Sequence, residues 1–97
     1  MQFMVEAEMP EVFSDEILDM IPNEITRMND LMSDNVVSSY TLSGDRKRLW
    51  VTLDVENEEK AREVMDGFSL ADHMHYEIYE LAFLETAPMR MPAFSLN

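Results

Sequence analysis

Between residues 36 and 81 the chain writes strand, tight polar turn, strand, helix and strand in about the fewest residues that allow them, and few folds accept that order. Two alternating segments, residues 36–42 and 49–55, flank Ser43, Gly44, Asp45 and Arg46, a cluster whose glycine and aspartate suit a hairpin loop. Asn57 then offers a side-chain oxygen to cap a helix in which Ala61, Val64, Met65 and Phe68 follow the i, i+3, i+4, i+7 spacing of one buried face. Gly67 near its end predicts a left-handed termination. The last strand, residues 74–81, alternates again: Met74, Tyr76 and Ile78 take one side, and His75, Glu77 and Tyr79 the other.

The preceding part supplies one more strand and one more helical stretch. Phe3, Val5 and Ala7 alternate with Met4, Glu6 and Glu8, and Pro10 ends the pattern. Ser14 is placed to cap a helix whose first residues, Asp15 and Glu16, suit the positive end of its dipole. Ile17, Ile21, Ile25, Met28 and Met32 recur at helical spacing, and Pro22 predicts a kink or two abutting helices. Element order is thus β-α-β-β-α-β: an α+β, ferredoxin-like fold with a four-stranded antiparallel sheet carrying two helices on one face. Residues 1–84 make up this single domain. Residues 85–97 form an extended C-terminal arm, whose Met89, Met91, Phe94 and Leu96 predict docking on a neighbouring subunit.

Alternation also sorts the side chains by face. Leu49, Val51, Leu53 and Val55 point toward the helices, whereas Arg48, Trp50, Thr52, Met4, Glu6, His75, Glu77 and Tyr79 fall on the face the helices leave bare. A four-residue loop pairing Ser43 with Arg48 would add Val37, Ser39 and Thr41 to that open face. A loop one residue longer or shorter would add Tyr40 instead. A semi-polar face containing a tryptophan predicts a second copy laid against it, closing the two sheets into a dimeric α/β barrel. Any pocket then lies between the sheets or beside the helices.

Composition narrows the partners. With 46% apolar residues, including ten methionines, the chain holds more hydrophobic material than a two-layer domain of 97 residues hides, which predicts a homodimer or higher homo-oligomer. A net charge of −13 repels polyanions, so neither nucleic acid nor an anionic membrane is an expected partner. Cysteine is absent, which excludes disulfides and thiolate chemistry and suits a reducing compartment. With no leader-like segment at the start, a cytoplasmic location is expected.

The short segments Ser39-Tyr-Thr-Leu-Ser, Asp45-Arg, Leu49-Trp, Phe68-Ser-Leu and His73-Met-His-Tyr-Glu-Ile-Tyr-Glu-Leu, together with the element order, resemble the muconolactone isomerase-like small proteins. The resemblance covers residues 1–84. It implies a dimeric α/β-barrel subunit and, in the founding enzymes, a cofactor-free proton shift on an unsaturated lactone acid.

For the chemistry, His75 is the candidate acid or base, because an imidazole titrates near neutrality, and Glu77 would orient its ring. Trp50 and Tyr79 offer a flat wall for an unsaturated organic ligand, and Arg48 offsets the acids around it. Tyr40, Glu6 and His73 complete the candidate binding residues. His73, His75 and Glu77 at i, i+2, i+4 would share one side of a strand and could hold a metal ion together. No recognised metal motif completes that set, so no metal and no cofactor is assigned. The competing reading is a non-catalytic interaction subunit whose open face and arm serve assembly alone.

Overall fold

The computed structural model describes residues 1–87. Strand β1 (Gln2–Glu8) leads to helix α1 (Asp15–Ser33), and β2 (Val37–Leu42) and β3 (Arg48–Asp54) form a hairpin. Helix α2 (Glu58–Asp66), a 3-10 helix (Ser69–His73) and β4 (His75–Glu80) follow. The strands form one antiparallel sheet in the order β2-β3-β1-β4, giving the ferredoxin-like α+β fold expected from the sequence. No helix among the described residues is long and apolar enough to cross a membrane.

Both predicted caps form. Ser14 Oγ accepts the Ile17 amide at 3.3 Å and Asn57 Oδ1 accepts the Lys60 amide at 2.9 Å, satisfying donors that a helix start leaves free. At the end of α1, Asn35 takes the left-handed conformation (φ 62), and its amide and that of Val36 return to the carbonyls of Met32 and Leu31. Two expectations fail. Helix α1 runs without a break through Pro22, which lies on the exposed side where the carbonyl it cannot engage reaches water. Gly67 ends α2 in the right-handed region (φ −75), so its backbone needs no special freedom.

Space explains Gly67 instead. The Arg27 guanidinium lies 4.9 Å from the centre of the Phe68 ring and donates from Nη2 to the Val64 carbonyl at 3.1 Å, tying α1 to the end of α2. A Cβ on residue 67 would fall 2.8 Å from the Arg27 Cζ. Gly67→Ala is therefore expected to displace the guanidinium. That loss, about 1.5–3 kcal/mol for a charged hydrogen bond, outweighs the roughly 0.5–1 kcal/mol that alanine contributes in helical backbone. In an Arg27→Met background the same Gly67→Ala change should become stabilising. Urea unfolding of the four proteins tests this, and the same sign in both backgrounds would refute it.

The core lies between the helices and one sheet face, where Phe3, Val5, Val51, Leu53, Met65 and Phe68 are buried together. Tyr76 donates its hydroxyl to Asp66 Oδ1 at 2.5 Å, fastening β4 to α2; burial, then this hydrogen bond, holds the phenol above its ordinary pKa.

The hairpin has the four-residue loop, with the Ser43 amide donating to the Arg48 carbonyl at 2.8 Å. Asp45 Oδ1 accepts from Ser43 Oγ at 2.7 Å and from the Lys47 amide at 3.0 Å, and these bonds lower its pKa. The positive φ of the loop falls on Arg46 (φ 63), not on Gly44. Ser39 and Thr41 stand opposite Thr52 and Trp50, hence on the open face, but an irregularity between Val37 and Ser39 returns Val37 to the core. Tyr40, opposite Val51, belongs to the helix face, as the four-residue loop requires, so the alternative that would turn it to the open face does not apply.

Candidate functional site

Register arranges the open face in rows. Thr41, Trp50, Glu6 and Glu77 form one, Ser39, Thr52, Met4 and Tyr79 the next, and Arg48, Glu8 and His75 a third. Its centre is dry: Thr52 is only 3% exposed, and its hydroxyl lies 3.2 Å from Ser39 Oγ and 3.7 Å from Met4 Sδ. Around that centre the face becomes polar. Arg48 pairs with Glu6 at 2.8 Å and reaches Glu8 at 3.9 Å, which relieves the repulsion of Glu6 and Glu77 facing each other across β1 and β4.

His75 and Glu77 do come together. Nε2 stands 3.7 Å from Oε1, beyond hydrogen-bond length, with the two side chains 75% and 63% exposed. The contact leaves the imidazole free to turn, so in the single subunit Glu77 does not fix its orientation. His73, by contrast, ends the 3-10 helix and lies outside the strand, so it does not continue the alternation of His75 and Glu77. Among the described residues no group of three His, Asp or Glu side chains is placed to hold a metal ion. The arm residues Met89, Met91, Phe94 and Leu96 lie outside the described residues.

A second site lies on the other side of the sheet. Helix α1, the 3-10 helix and the β2–β3 hairpin enclose a groove of about 160 Å³, with Ile21, Met28, Leu49, Phe68, Leu70 and Met74 in its lining. Its exposed lining residues, Ile25, Tyr40 and Leu42, mark the open side. Among the described residues Glu24 is the one charged residue in the wall, and it is occupied: its carboxylate accepts the Ser69 amide at 2.9 Å and the Leu70 amide at 3.4 Å, holding the 3-10 helix in place.

Of the eight candidates read from the sequence, only Tyr40 lines this groove. His75, Glu77, Trp50, Tyr79, Arg48 and Glu6 are on the opposite face of the sheet, and His73 lies beside the groove's lining residue Met74 without entering the wall. The groove escaped sequence reasoning because its wall is assembled from side chains of almost every element, each of which reads locally as core. Ile25, Tyr40 and Leu42 are large apolar residues left exposed, which the fold alone reveals. No protein-family model and no curated protein matches the chain.

Proposed function

We propose that the chain is a homodimeric α/β-barrel protein that binds a small organic molecule in the groove between α1, the 3-10 helix and the β2–β3 hairpin. The observation that carries this reading is the groove itself, an apolar recess with one engaged carboxylate, the usual composition of a ligand pocket. Dimerisation is supported by the open face, whose dry centre and charged rim match the anatomy of an interface. A protein without cysteine is suited to the cytoplasm.

The second reading, a cofactor-free isomerase, is supported by the approach of His75 to Glu77, which shares a row with Trp50. There the imidazole would take a proton from one carbon of a ligand held between two stacked sheets and return it to another. One experiment separates the two. Single-ring compounds are screened by NMR against the full chain, and the hits are titrated into Leu42→Trp, His75→Ala and Glu77→Ala. The groove reading expects Leu42→Trp to weaken binding at least about tenfold by filling the recess, with the other two unchanged. Loss of binding in His75→Ala and Glu77→Ala, with Leu42→Trp unaffected, would place the ligand on the open face and favour the isomerase.

A further inference from the structure

We propose that the groove selects neutral single-ring aromatic molecules and rejects carboxylates, a class different from the lactone acid that the family resemblance implies. The inference rests on the groove being the ligand site. Size comes first: about 160 Å³ is close to the roughly 150 Å³ of an apolar cavity that accommodates benzene.

Charge decides between kinds of ring. Among the described residues no Lys or Arg lines the groove, and the one charged residue in its wall is the carboxylate Glu24. An entering carboxylate would lose its water, meet no positive partner among the described residues and face Glu24 within a chain of net charge −13. A cationic ring fares little better, because both Glu24 oxygens already accept backbone amides of the 3-10 helix. Drawing Glu24 toward an ammonium group would release Ser69 and Leu70, and with them part of the wall.

The lining favours a flat ring over an aliphatic one. Met9, Met28, Met65 and Met74 contribute four thioethers, and Phe68 an aromatic face. Thioether sulfur makes favourable contacts with aromatic rings, and the unbranched side chain adapts to a planar guest.

The test titrates toluene, benzoate and benzylammonium into the full chain at neutral pH, following backbone and methyl resonances. Toluene is expected to shift Met28, Phe68 and Leu70, with benzoate and benzylammonium at least about 100-fold weaker. Comparable binding of either ion, with the same residues shifting, overturns the selectivity and leaves the groove as the ligand site. Should none of the three perturb the groove, both the site and its selectivity fall. Overhauser contacts from residues 88–97 to Ile25 or Leu42 in the free protein would make the tail the native occupant and overturn the proposal. Dissociation of a dimer by toluene would do so too, assigning the groove to a second copy.

Discussion

Phe3→Ala is expected to lower the unfolding free energy by about 3–5 kcal/mol, a large part of the roughly 5–15 kcal/mol that holds a domain of this kind together. Phe3 is 2% exposed on β1, a central strand, directly opposite Leu53 and packed in the same cluster as Val5, Val51 and Met65. Removing its ring withdraws apolar area from the middle of the core and leaves a cavity that strands on both sides are too rigid to close. Val12→Ala, at a site 74% exposed, should change stability by less than about 0.5 kcal/mol and serves as the control. Urea unfolding at matched protein concentration, followed by circular dichroism, reads both. A loss below about 1 kcal/mol for Phe3→Ala would mean that the cluster is not packed as described.

Trp50→Glu is expected to convert the proposed dimer into a monomer while leaving the subunit folded. Trp50 points away from the core, with Thr41 on one side of it and Glu6 on the other. The substitution would place a third carboxylate in the row that already holds Glu6 and Glu77, where Arg48 is the one Lys or Arg among the described residues that pairs with the row. Each dimer would bury two such charges. At a few kcal/mol per uncompensated charge, dissociation should strengthen by about 1,000-fold or more. Sedimentation at micromolar concentration would then give the mass of one subunit. A Trp50→Glu protein that still sediments as a dimer would remove the open face as the interface.

What the sequence made legible follows from how locally each feature is determined. Alternation in β1, β3 and β4 was readable because one face of each strand turns toward the helices and the core and the other turns away, so the pattern carries the register. Ser14 and Asn57 were readable as caps because a cap needs only its own side chain and an amide three residues on. Strand β2 gave less, since five of its six residues are exposed and one irregularity at its start changes which face Val37 serves. Tyr40 could not be placed for that reason.

Longer-range effects were hidden in the same way. Pro22 signals a break when read alone, but packing of Ile17 and Met28 carries the helix across it. Gly67 signals a backbone need when the real constraint comes from Arg27, forty residues earlier. Of the candidate site, the grouping of Trp50, His75, Glu77 and Tyr79 on one face was legible, because register alone determines it. The groove was not, because apolar residues that line a recess and those that fill a core have the same spacing.

Among the described residues, strand β2 is hydrogen-bonded to β3 alone, and Val37 is its one buried residue. Elements with few buried contacts open at the smallest local free energy, so the two edge strands, β2 and β4, are the parts of the sheet that leave most cheaply. Tyr40 and Leu42 ride on β2, which makes the side wall of the groove also a soft wall of the fold. The largest guest the groove can admit is then governed by the compliance of one edge strand rather than by the resting volume, and amide exchange along β2 is the observable that reports it.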